Sequence, residues 1–386
     1  MSGLHALDRC SSRVLDRFGS GPRGLLAWLA AMAVGCSSAS DAGPAGSGGD
    51  GVGSYDPSGD GQWGSAADDD DGGGSEGGSE DGSSGGDSTD AGDDPDGGKP
   101  LPPPPGDDDG TFAGCPEAMP GAWVFCQDFE TIADPREVVL DYQDGGGAFM
   151  LVDGIGASGS RSMEASYQPG VEGAGWMVLS FGASPIALDG RPTYVPDGTF
   201  QELYWRLRVK TEPGWPDLGP GQLTRTVSFA NGDWSEAVVA HLRSAGAGVT
   251  LEAMPVTCVS GTDVTCAGYD DQGSLNELGS MVGDTPLFSE AMSGQWHCVE
   301  GHLSLNTPGA ADGVLEFWVD DVLQASRSDL DLRGSWTDYA LNALVIENLW
   351  PGGAPALLRR WIDDVVISTE PIGCGLPSLP PDAASG

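Results

Sequence analysis

The sequence predicts an all-β fold, a two-sheet antiparallel β-sandwich or jelly roll, behind a long segment with no fold of its own. Three observations predict it. Nine segments between residues 161 and 368 carry alternating or β-branched strand patterns, separated by Gly, Pro, Asn and Asp clusters. Only "SLNELGSM" (274–281) reads as a helix, and a short one. Residues 37–110 are mostly Gly, Ser and Asp, and bury too little apolar surface to offset the entropy of ordering.

Residues 1–36 hold Arg9, Arg13, Arg17 and Arg23, then the apolar run "LLAWLAAMAV" (25–34), then Gly35 and Cys36. A basic stretch before a short apolar run is the pattern of a secretory signal, too short to span a membrane permanently. "AVGC" resembles the bacterial lipobox, with Ala33 where leucine is commonest. Lipidation at Cys36 is therefore expected, against the plainer reading of an ordinary signal peptide with an incidental cysteine. Ser37, standing where aspartate would retain such a protein, implies the outer membrane or cell surface.

Residues 37–110 carry 17 Asp and 2 Glu against 1 Lys. These charges repel and extend the segment, and "KPLPPPPGDDDG" (99–110) stiffens its far end. The Asp–Gly tracts show no fixed period, so they read as a linker and not as calcium-binding repeats. Residues 377–386 read as a tail, which leaves 111–376 as one domain, expected to be monomeric.

From residue 111 onward there are 37 acidic and 12 basic residues. So acidic a surface disfavours nucleic acid and anionic lipid, leaving membrane contact to the anchor alone. Six cysteines, Cys115, Cys126, Cys258, Cys266, Cys298 and Cys374, remain after Cys10 and Cys36. There is no CxxC, and the spacings do not suit zinc, so three disulfides in an oxidising compartment are expected. Cys258 and Cys266 suit a hairpin, Cys115 and Cys126 are the next nearest pair, and Cys298–Cys374 would remain. Six cysteines admit fifteen pairings.

The strand patterns fall at 161–168, 200–211, 223–230, 236–244, 248–254, 295–305, 313–326, 339–348 and 360–368. "GQWHCVEGHLSLNTPGAADGVLEFWVDD" (294–321) resembles the tryptophan strand, hairpin and following strand of concanavalin A-like jelly rolls of the lectin and glucanase type. "FCQDFE" (125–130), "GSRSMEASYQPG" (159–170) and "IDDVVIS" (362–368) resemble the opening, second and closing strands of the polysaccharide-lyase-like group related to glucuronan lyases. The resemblance spans roughly 115–374 and concerns the fold, which hosts lectins, hydrolases and lyases alike.

The E-x-D-x-E strand of jelly-roll glucanases is absent, as are H-E-x-x-H and G-x-S-x-G. A lyase acting on uronates needs a base and a cation that neutralises the carboxylate. Tyr204, Arg206, Arg208 and Lys210 alternate with Leu203, Trp205, Leu207 and Val209, and His241 and Arg243 share parity on another strand. If both polar faces line one concave sheet, they form a basic groove in which Tyr204 or His241 is the base. The competing reading is a solvated strand face paired with acids. "QWH" (295–297) resembles the Gln-x-His strand of alginate lyases, but Gln295 falls at a turn, and His297 and His302 have opposite parity. Glu347, Asn348 and Trp350 of "ENLWPGG" offer hydroxyl-bonding groups beside an aromatic face, although a core role suits Trp350 equally.

Asp363 and Asp364 stand in an otherwise apolar strand, and alternation points them to opposite faces. The resemblance implies a structural calcium there, held by Glu130 of the opening strand and Asp363 of the closing one, with a Ser160 or Ser162 oxygen nearby. Pairing of Asp363 with Arg359 or Arg360 is the alternative. Three functions follow: a polysaccharide-binding surface lipoprotein, a polysaccharide lyase, or a structural or adhesion module. The last predicts that the Tyr204–Lys210 face is covered or ion-paired.

Overall fold

The structure is a computed structural model and describes residues 114–268 and 274–375. The signal, the lipobox with Cys36, the linker 37–110 and the tail 377–386 lie outside the described residues. The strands, in chain order, are β1 (Trp123–Gln127), β2 (Asp141–Gln143), β3 (Phe149–Asp153), β4 (Arg161–Tyr167), β5 (Gly173–Ser180) and β6 (Glu202–Thr211). Then come β7 (Gln222–Phe229), β8 (Glu236–Ser244), β9 (Leu251–Thr257), β10 (Val259–Ser260), β11 (Asp263–Val264) and β12 (Asn276–Glu277). The last are β13 (Met281–Val282), β14 (His297–Ser304), β15 (Gly313–Val319), β16 (Val322–Leu330), β17 (Ala343–Leu349) and β18 (Leu358–Ser368).

Two antiparallel sheets form the expected sandwich. The first runs β16-β15-β14-β6-β18-β4-β3 with β1 added to β18, and the second runs β12-β9-β8-β7-β17-β5-β2 with β13 added to β9. On β6 the alternation holds: Leu203, Trp205, Leu207 and Val209 enter the shared core, and the four polar side chains face away. Trp205 lies across Gly301 of β14, where a Cβ would stand 2.2 Å from the indole, so that position accepts only glycine. The indole N–H donates to Thr224 Oγ1 of the opposite sheet at 3.2 Å.

Two expected elements differ. Residues 313–326 form two strands, because Asp320 and Asp321 take φ of 50° and 63° and turn the chain as a two-residue hairpin. "SLNELGSM" is extended and not helical: its two ends pair with β9, whose open edge offers ladder bonds, and Gly279 (φ 94°) breaks it between them. The disulfides join Cys115–Cys126, Cys258–Cys266 and Cys298–Cys374. The second closes the β10–β11 hairpin, and the third ties the end of the domain to β14.

Candidate functional site

The polar face of β6 is not a groove. The chain after β18 lies across it as a strap, fastened by Cys298–Cys374. Arg206 Nη1 donates to the carbonyl of Gly373 at 3.0 Å, and Arg208 Nη2 donates to the carbonyl of Cys374. The Glu300 carboxylate accepts the amides of Ile372 and Gly373 at 2.9 and 2.7 Å. Tyr204 is buried with Val366 and Ile372 and stacks on His302, whose two ring nitrogens face Glu202 and Glu316. Burial, and then the neighbouring glutamates, push the Tyr204 hydroxyl above its ordinary pKa, the opposite of what a base needs. Lys210 lies over the ring of Trp296. The face is covered, as a module without a sugar site on that sheet would have it.

His241 and Arg243 do not join it. They stand on β8, in the second sheet, and face outward on the far side of the sandwich. The expected single groove of Arg206, Arg208 and His241 is therefore corrected: parity selects a face, and only long-range pairing selects the sheet.

The outer face of the second sheet has two halves. One is an apolar cluster of Val178, Val227, Phe229, Val239, Val256 and Val345, closed over by Leu140 and Ile186 and flanked by half-buried Trp176 and Trp234. The other is polar. Gln143, Trp176 and Glu347 are register partners across β2, β5 and β17, and Gln222, Arg243 and Glu252 across β7, β8 and β9. Arg225 Nη2 meets Glu347 Oε1 at 2.7 Å and its Nη1 meets Glu236 Oε1 at 3.0 Å, while Arg243 Nε meets Glu252 Oε1 at 2.6 Å. His241 is the register partner of Arg225. Burial first, then Arg225 and Arg243, hold its pKa well below the usual 6.5, so the imidazole is neutral at pH 7. Its Nδ1 has no hydrogen-bond partner.

No family model and no curated protein matches the chain. Solved structures do. The chain is similar to the endo-β-1,4-glucuronan lyase of the fungus Trichoderma reesei, at 11% identity and a TM-score of 0.43, over 64% of this chain and 96% of that one. It is similar to the marine PL-14 alginate lyase from Aplysia kurodai, at 14% identity and a TM-score of 0.42, over 64% of this chain and 99% of that one. It is also similar to the cellulose-induced protein Cip1, at 16% identity and a TM-score of 0.38, over 65% of this chain and 100% of that one. Polysaccharide lyases of the jelly-roll type are thus among its structural neighbours. At such identities and scores the likeness carries no argument about activity.

Of the residues expected around "ENLWPGG", only Glu347 reaches the outer face. Asn348 points between the sheets, where its amide donates to Gly175 and its oxygen accepts from Arg360. Trp350 is buried against Tyr167 and Trp215, with ring centroids at 5.3 and 5.7 Å. Arg225, Glu236, Glu252, Gln143 and Trp176 were not singled out from sequence. For Arg225 the signal is present, since "LTRTVSF" puts it in phase with Val227 and Phe229. Trp176 is hidden because both parities of β5 are apolar.

Asp363 and Asp364 do not face opposite ways. Asp363 pairs with Arg208 and Val366 with Arg206, so one residue is extra and Asp364 (φ 48°) sits in a bulge. Asp363 Oδ2 accepts the amide of Ala157 at 2.6 Å, and Asp364 Oδ1 accepts the hydroxyl of Ser158 at 2.5 Å. Glu130 grips the same loop, accepting the amides of Ser160 and Arg161 at 2.8 and 2.7 Å and the Ser160 hydroxyl at 3.2 Å. A Cβ on Gly159 would lie 2.4 Å from the Glu130 carboxyl carbon. Ser162 turns instead to the carbonyl of Ile155. Burial, then Asp364 and Asp128, push Asp363 up to about 8. A buried carboxylate crowded by others is a setting that a hard cation relieves, so these residues fit calcium electrostatically. Among the described residues no three His, Cys, Asp or Glu side chains converge as ligands, so further oxygens would be carbonyls.

Proposed function

We propose that the chain is a surface lipoprotein, exported and anchored through Cys36, whose sandwich binds polysaccharide on the polar half of the second sheet's outer face. One observation carries the reading: half-buried Trp176 lies in register between Gln143 and Glu347, beside the Arg225 and Arg243 ion pairs. An indole face stacks on a sugar ring, and fixed carboxylates and guanidinium groups around it hydrogen-bond hydroxyls without having to be ordered first. Glu130 and Asp363 would hold a structural calcium on the other sheet, fastening the 155–161 loop to the first and last strands. Glycan-array binding tests the reading. Trp176→Ala and Glu347→Ala abolish binding, while Lys210→Ala, on the covered sheet, leaves it unchanged; survival of binding in Trp176→Ala refutes it.

A second reading has one observation in its favour. His241 is neutral, its Nδ1 is unpartnered, and it lies between two arginines, as the base of a β-eliminating lyase would. Against it, both arginines are already paired with glutamates. Absorbance from unsaturated products during incubation with glucuronan, alginate and pectate decides: appearance that is lost in His241→Ala establishes the lyase, and silence removes it.

A further inference from the structure

Arg360 belongs to the first sheet but turns inward and is fully buried between the sheets. Its partners are neutral oxygens. Nη1 and Nη2 both donate to the carbonyl of Gln222 at 3.1 Å, and Nη2 also donates to the carbonyl of Glu347 and to Asn348 Oδ1, each at 2.7 Å. The guanidinium lies 5.6 Å from the ring centroid of Tyr167. No carboxylate bonds it. A buried cation without a counter-charge is costly, and burial lowers its pKa accordingly. So expensive a group in the middle of a sandwich calls for an account.

The backbone explains the position. Pairing of β17 with β7 ends at Ile346 and Thr224. The β7–β8 register shifts between Gln222 and Thr224, and the β17–β5 register shifts between Glu347 and Leu349. The carbonyls of Gln222 and Glu347 therefore fall where the ladder stops, and an unpaired buried carbonyl is itself destabilising. One guanidinium takes both. The side chains of these same two residues belong to the polar half of the outer face.

The charges explain the cation. Among the described residues, that face carries Arg225 and Arg243 against Glu236, Glu252 and Glu347, one carboxylate in excess. Arg360 lies directly beneath, bonded to the backbone of Glu347, and makes the balance three to three. With both surface arginines already held by glutamates, the face offers hydrogen bonds but no spare cation for a uronate.

We propose that Arg360 is a positioning residue of the sugar face, holding Glu347 and Gln222 at the end of the ladder and balancing the third carboxylate from inside. The face it supports takes an uncharged polysaccharide. The proposal rests on the reading that this face binds glycans, and the experiment separates the two.

The full chain and its variants are titrated with cellohexaose, xylohexaose and mannohexaose, and with oligomers of glucuronate and alginate, while urea unfolding confirms that each variant is folded. Wild type binds a neutral oligosaccharide in preference to either oligouronate. Arg360→Lys keeps the charge but cannot reach Gln222, Glu347 and Asn348 together, and binding weakens about tenfold. Arg360→Met weakens binding further, and adding Glu347→Gln recovers part of the loss by removing the excess carboxylate, which a merely structural role would not do. Should Arg360→Met fail to fold, the Lys variant and the wild-type preference carry the test. Wild-type affinity in folded Arg360→Lys, or a preference for oligouronates, overturns the inference while Trp176→Ala still reports whether the face binds sugar. Absence of binding to any glycan overturns both.

Discussion

Opening the Cys298–Cys374 disulfide should be the most damaging single disulfide loss, because its span is the longest. Its cysteines are 76 residues apart, against 11 for Cys115–Cys126 and 8 for Cys258–Cys266. On the chain-entropy model, closing the long loop contributes about 4.5 kcal/mol and the shortest about 2.5 kcal/mol, a difference of about 2 kcal/mol. The structure adds to that difference in the same direction. Cys374 anchors the strap, so releasing it also loosens the carbonyl acceptors of Arg206 and Arg208 and the two amides that satisfy Glu300. Those groups are buried, and a buried charge stripped of its partners is destabilising on its own account. The assay is equilibrium urea unfolding of the double variants Cys298→Ala/Cys374→Ala and Cys258→Ala/Cys266→Ala, each compared with the intact chain. A loss from opening the long loop that does not exceed the loss from opening the hairpin would refute the assignment of the strap as the structural cover of the first sheet.

Four further outcomes are expected. Trp350→Ala, which empties a buried aromatic site, costs about 3–5 kcal/mol in urea unfolding while leaving the glycan preference of the folded fraction unchanged. Calcium chelation lowers the thermal midpoint, and Asp363→Asn removes that sensitivity; an unchanged midpoint in chelator removes the metal. Burial alone would lower the pKa of His297, but its bonds to Asp320 at 2.8 Å and to the carbonyl of Met292 at 2.9 Å raise it above 6.5. Its stabilisation is therefore complete below pH 6.5 and is lost as pH rises through the folded pKa; Asp320→Asn should flatten that part of the stability–pH profile. Finally, Trp205→Ala costs about 3–5 kcal/mol, and Gly301→Ala destabilises as well, because its methyl group would overlap the indole; a Gly301→Ala variant as stable as wild type would contradict the packing.

Much of the fold is legible because strand formation and facing are local properties. The alternation from Leu203 to Lys210 correctly assigned each side chain to a face, and the spacing of Cys258 and Cys266 correctly marked a hairpin. Local reasoning failed where a bond partner far along the chain intervened. Asp364 sits in a bulge that alternation cannot foresee, and the two aspartates turn to one loop. The 274–281 segment is extended because β9 has an open edge, which no property of those eight residues records. Trp176 stayed hidden because the outer face of its sheet is itself apolar over half its area.

The sequence by itself determined that this chain carries an all-β, disulfide-linked domain behind an acidic, glycine-rich segment, since composition, cysteine count and period-two patterning are fixed before any long-range contact forms. Only the tertiary structure decided which polar face is available. β6 pairs with β14 and β18, and β8 with β7 and β9, so two basic faces that look alike in sequence lie on opposite sides of the sandwich. One is closed by a strap arriving more than a hundred residues later. The other keeps Trp176, Glu347 and Arg243 partly open above a buried arginine, because nothing in the neighbouring sequence of any one strand dictates where its partner strands will come from.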